Sequence, residues 1–97
     1  MQQLTKQYLL HIANPSTLTT SIFIDVPWDQ TTLSAVMSFI ADNAEPEIAE
    51  KIHVINYHKV GNFNEEKETF SLIVMLDLQD VFESDEIEDY QSKTSIV

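Results

Sequence analysis

Hydrophobic and polar positions change period several times along this chain, and each change predicts an element. In residues 4–13, LTKQYLLHIA, Tyr8, Leu10 and Ile12 alternate with Gln7, Leu9 and His11, the period-two repeat of a partly buried strand. Asn14-Pro15-Ser16-Thr17 breaks that run. Over residues 19–26 a second alternation puts Ile22, Ile24 and Val26 on one face and Ser21, Phe23 and Asp25 on the other, so the two runs read as a hairpin. At Pro27-Trp28-Asp29 the period lengthens. Asp29 suits an N-cap because its carboxylate accepts from an orphan backbone N–H, and Trp28 with Leu33 has the spacing of a hydrophobic staple. Leu33, Val36, Met37, Ile40 and Ala44 then form a helical apolar stripe, with Ser34, Ser38 and Asp42 opposite and Phe39 at its edge.

Glu45-Pro46-Glu47 predicts a restart into a short helix through Lys51, since proline and acidic residues both suit a first turn. Residues 52–60 are β-branched and aromatic enough for a third strand, closed by Gly61-Asn62 with a turn over 62–66. Residues 68–78, ETFSLIVMLDL, set Phe70, Leu72, Val74, Leu76 and Leu78 against Ile73 and Met75, and two apolar faces predict a central strand. Val81 and Phe82 extend that strand or open a new element. Ser84 followed by Asp85 and Glu86 has the pattern of a helix start, and residues 91–97 read as a frayed end. The expectation is one α+β domain over residues 1–97: an antiparallel sheet of about four strands in ββαββ order, one main helix packed on one face, and an acidic C-terminal segment. Ninety-seven residues suffice for one core and are too few for two.

Composition narrows the function. The chain is 43% hydrophobic and 9% aromatic, enough to fold, and has no cysteine, which excludes a disulfide framework and thiolate metal sites and fits a reducing, cytoplasmic setting. Its first ten residues lack the apolar core of a signal peptide, and no apolar run approaches bilayer-spanning length, so no membrane is expected. Sixteen acidic residues face five lysines and no arginine, for a formal net charge of −11. Such a polyanion is repelled by phosphate backbones and anionic lipids, so direct nucleic-acid binding is not expected and a basic partner is.

The charge is also segregated. Up to residue 60 there are six acidic residues and three lysines; beyond it there are ten and two. Asp77, Asp80, Glu83, Asp85, Glu86, Glu88 and Asp89 follow one another with no basic residue between them. Such a run suits a solvated, solubilising segment, or equally a binding surface. Carboxylates two apart on a strand, or three or four apart on a helix, lie roughly 5–7 Å from one another, comparable to successive phosphates of one nucleic-acid strand. These seven, with Phe82 and Tyr90, are the expected partner-binding residues. Val81, Phe82, Ile87 and Tyr90 either supply apolar contact between the acids or belong to the core.

Other chemistries find little support. An EF-hand loop needs a glycine among its acids, and none lies beyond Gly61. His11, His53 and His58 are scattered, and a spacing of five on one strand puts the last two on opposite faces, against a zinc site. No nucleophile–base pair, glycine-rich phosphate loop or arginine clamp is identifiable, so neither an enzyme nor a cofactor is expected. Trp28 and Tyr57 lack the basic groove that a nucleic-acid stacking platform needs and read as core.

In size, acidity, absence of cysteine and clustered carboxylates, the whole chain resembles the small phage-encoded inhibitors that mimic DNA, among them anti-CRISPR and antirestriction proteins. The resemblance implies a protein that occupies the DNA-binding channel of a defence complex, such as a CRISPR surveillance complex in the host cytoplasm, and excludes target DNA. Two other classes compete: an antitoxin or immunity protein covering a basic toxin or nuclease, which shares nearly all the same physics, and an interaction subunit whose acidity serves mainly solubility.

Overall fold

The computed structural model describes residues 3–95, with side chains through residue 89. Its centre is the apolar run expected there. Thr69–Asp77 (β3) lies between Thr19–Pro27 (β1) and His53–Asn64 (β2), antiparallel to both, in a three-stranded sheet of order β1-β3-β2. Leu72, Val74 and Leu76 of β3 are fully buried on one face, beside Ile22, Ile24 and Val26 of β1. Because β1 and β2 both run antiparallel to β3, they are parallel to each other. The chain passes between them through a helix, Leu33–Asp42 (α2), and a 3-10 turn, Ala49–Lys51, giving a split β-α-β arrangement. Two further helices, Lys6–Ile12 (α1) and Ser84–Ser95 (α3), flank this unit.

The fold is therefore α+β with an antiparallel sheet, but it has three strands, and the expected ββαββ order gives way to helices at both ends. The expected first strand is α1. Thr5 caps it, its hydroxyl accepting from the Tyr8 N–H at 3.0 Å, and Leu9 and Ala13, four apart, are the positions it buries. Tyr8, Leu10 and Ile12 pack half-buried beside them, so an apparent alternation is the flank of a helical stripe. The segment before the helix is tied to the end of α2, the Leu4 N–H bonding the Asn43 carbonyl and the Glu45 N–H the Leu4 carbonyl.

The cap of α2 is Thr32, not Asp29; its hydroxyl accepts from the Ala35 N–H at 3.2 Å. The staple does not form, since Trp28 and Leu33 are both exposed. Of the expected stripe, Val36, Ile40 and Ala44 are buried and Met37 faces outward with Leu33. Phe39 packs against the core, as an edge residue should.

β2 does not stop at Gly61. It continues to Asn64, with the turn moved to 65–68, because register shifts at Val54/Asn56 and Val60/Asn64 absorb extra residues. Gly61, at φ 72, supplies the left-handed backbone that the second irregularity uses. The first shift reverses the expectation for the histidines: His53 pairs with Asp77 and His58 with Ile73, so both belong to the same face. That face carries no helix. Phe23, Ile73 and Met75 lie on it, Phe23 being 69% exposed, so the second apolar face of β3 is left open. The backbone of α3 runs on through Ser95, across much of the expected frayed end; residues 96 and 97 lie outside the described residues.

Candidate functional site: an anchored acidic end

Where β3 ends, the chain makes a tight descent into α3. Asp77 is the last strand residue, half-buried, and its Oδ1 accepts from the Gln79 N–H at 2.9 Å. The Leu78 N–H bonds the Leu18 carbonyl and the Val81 N–H bonds the Leu78 carbonyl, so the loop is held by backbone at both ends. Leu78, Val81 and Phe82 all point into the core, Phe82 with 5% of its surface exposed. Phe82 is thus no surface anchor; of the two alternatives, the core claims it and Val81. Ile87 packs half-buried against the same cluster.

The helix start is built from the acidic residues themselves. Glu86 Oε1 accepts from the Glu83 N–H at 3.1 Å, the backward half of a capping box, and takes the Lys6 Nζ at 2.7 Å. This clasp joins the first and last helices across the molecule. The Lys6 hydrogen bond, reinforced by the Glu83 N–H, holds the Glu86 carboxyl below its ordinary range; the same bond raises Lys6, with Glu86, Glu83 and Asp85 adding to the field. Of the seven expected carboxylates, then, Glu86 is committed to architecture and Asp77 to its own turn.

Asp80, Glu83, Asp85, Glu88 and Asp89 are exposed around this end. Asp80 Oδ2 lies 2.8 Å from His53 Nε2, which fixes the carboxylate against β2 while leaving it in water. Asp85 and Glu88, three apart on α3, share one side of the helix. The expected Tyr90 contact lies outside the described side chains. The segment accordingly sets exposed carboxylates on a buried apolar footing. Lys6 was missed in the sequence because its partner lies eighty positions away and no local pattern joins them.

A second feature occupies the opposite end of the sheet. Trp28, Phe63, Glu68 and Phe70 line an open cleft of about 450 Å³. The Phe63 and Phe70 rings stand 4.9 Å apart at 47°, and the Lys59 ammonium sits 4.2 Å over the Phe70 ring. Trp28 and Glu68 are held together by a 2.9 Å bond from the Trp28 N–H to the Glu68 carbonyl. Trp28 is 58% exposed and so is not the core residue its sequence suggested. Tyr57 is half-buried, its hydroxyl donating to the Thr31 carbonyl at 2.7 Å. Among the described residues no three histidine or acidic side chains are grouped to hold a metal ion, and no helix is long and apolar enough to cross a membrane. Compared with family models, curated proteins and solved structures, the chain matches none of them.

Proposed function

We propose that this chain is a binding protein whose acidic end occupies the phosphate-binding surface of a basic, nucleic-acid-binding protein or complex, keeping nucleic acid out. The observation that carries this reading is the anchoring of the acidic run. Val81, Phe82, Ile87 and the Lys6–Glu86 clasp fix the segment, while Asp80, Glu83, Asp85 and Glu88 remain exposed. A disordered polyanion pays an ordering cost when it binds; carboxylates already held in place avoid most of it and discriminate between arrangements of positive charge. Long-range attraction from a chain of net charge −11 adds association rate. The class of inhibitor that such a surface supports is the one seen in anti-CRISPR and antirestriction DNA mimics, with a bacterial defence complex as the target.

The test replaces the exposed carboxylates and leaves the clasp intact. The variant Asp80→Asn, Glu83→Gln, Asp85→Asn, Glu88→Gln should keep its far-UV circular dichroism and lose about tenfold or more in affinity for the complex that the wild-type chain captures from a bacterial lysate, with a flatter salt dependence. Excess duplex DNA should release that complex from the wild-type chain. Affinity unchanged at every salt concentration would remove the acidic end from the interface. Capture indifferent to DNA would move the function to an antitoxin or immunity role or to an interaction subunit, and direct DNA binding by the isolated chain would defeat the proposal.

A further inference from the structure

The two edges of the sheet are not equivalent. β2 forms one edge, and its pairing register slips twice, with Lys59 and Gly61 between or at the slips, devices that disfavour further strand addition. β1 forms the other, and over nine residues its register with β3 is unbroken. The ladder fixes which of its backbone groups are used. The Trp28 N–H bonds the Glu68 carbonyl and the Leu78 N–H the Leu18 carbonyl, both in register with the strand pair, so even-numbered residues of β1 exchange bonds with β3. The N–H and C=O groups of the odd-numbered residues point away from the sheet.

At both ends that outward row is closed. The Thr19 carbonyl takes the Asn14 N–H at 2.8 Å, and Pro27 has no N–H while its carbonyl takes the Gln30 N–H at 2.9 Å. Ser21, Phe23 and Asp25 remain between them, all exposed. The open ladder is therefore three residues long and centred on Phe23.

We infer that β1 pairs antiparallel with β1 of a second copy of this chain, about a twofold axis through Phe23, to make one continuous six-stranded sheet. The centring selects the register. Phe23 faces its symmetry mate as a hydrogen-bonded pair, Ser21 faces Asp25 and Asp25 faces Ser21, so that all the outward N–H and C=O groups of the three residues are satisfied. The side chains agree with the backbone. Paired residues share a face, so the two Phe23 rings meet on the open side, extending the apolar patch of Ile73 and Met75 from each copy. Asp25 already accepts from the Ser71 hydroxyl through Oδ1 at 2.6 Å, and the register sets the Ser21 hydroxyl of the second copy opposite it.

Charge opposes self-association of this chain in general, and β1 itself adds little to that opposition. β1 bears a single charged residue, Asp25. The twofold sends the two Asp77 ends in opposite directions: each copy's β1 starts beside Asp77 of β3, and antiparallel pairing sets that start against the other copy's Pro27, the end that carries Glu68, so some like charge meets across the seam and makes the pairing sensitive to salt. A basic strand from an unrelated protein would gain less from this edge, since two of the three outward positions are uncharged.

Sedimentation equilibrium of the full chain tests the inference. The expected result is a species of twice the 11.1 kDa chain mass whose dissociation constant falls as NaCl rises from about 0.05 to 0.5 M, because screening relieves like-charge repulsion. That salt response is opposite to the one expected for the acidic end and its basic partner, so the two readings fail separately. Phe23→Glu should weaken the dimer by about tenfold or more by setting like charges face to face. Ser21→Pro, which removes an outward N–H and spares the β1–β3 ladder, should do the same, whereas Met37→Glu on α2 should not. In amide exchange, the Ser21, Phe23 and Asp25 N–H groups should become protected only as concentration increases. A monomer at all concentrations and salts, a dimer that survives Phe23→Glu and Ser21→Pro, or dissociation by Met37→Glu would each overturn the pairing.

Discussion

Phe82 and Glu83 are adjacent, yet one belongs to the core and the other to the solvent. The difference sets what each substitution costs. Phe82→Ala should destabilise the fold by about 3–5 kcal/mol, through lost burial and the cavity left among its neighbours. Glu83→Gln should change stability by less than about 0.5 kcal/mol while still weakening partner binding. Urea unfolding followed by circular dichroism separates the two. In the sequence, Phe82 among acids read as contact or core alike, because burial here depends on the turn that follows Leu78 and not on any periodicity. The carboxylates themselves were legible, since seven acids without a basic residue between them have few places to go but solvent. Glu86 and Asp77 were the exceptions: only the folded chain brings Lys6 to the first, and the second is half-buried and bound to the Gln79 N–H.

At the scale of elements, among the described residues α3 is held to α1 by the Lys6–Glu86 ion pair and to the core by Ile87, so its attachment responds to acid. Glu86 has a folded pKa below its unfolded value; the stabilisation it adds is therefore fully present above the ordinary glutamate range and is lost as pH falls through the depressed value. Both partners are substantially exposed, so the effect is local loosening and not global unfolding. Amide protection at the start of α3, taken relative to the intrinsic exchange rate at each pH, should fall below the ordinary glutamate range, and Glu86→Gln should show the lower protection already at neutral pH. An α3 whose exchange ignores both changes would show that the clasp contributes nothing to its docking. Legibility follows the same logic of local against distant causes. β3 was readable because its apolar alternation is long. α1 was not, because seven residues satisfy a period of two and a period of 3.6 about equally, and the Thr5 cap shows only in the folded chain. The length of β2 was hidden by its register slips, which a count of alternating residues cannot anticipate.

The whole molecule is elongated, 47 × 28 × 20 Å, and its features are distributed along the sheet: the acidic row where β3 ends, the aromatic cleft where β3 begins, and the open edge of β1 between them. The overall charge imbalance was visible in the sequence, but its polarity was not, because the acidic turn Glu65, Glu66 and Glu68 lies at the far end of β3 from Asp77 although both belong to the same acidic third of the chain. Trp28 belongs to the cleft end, and it is the single tryptophan of the chain. Its position makes the protein's intrinsic emission a gauge of that one corner. With the indole already in water, urea should shift the emission maximum only slightly while circular dichroism records the full transition, so fluorescence alone would pass an unfolded sample as native. The same property is an advantage for ligand work: a group entering between Trp28 and Phe63 would alter the emission at once, and no second indole would dilute the signal.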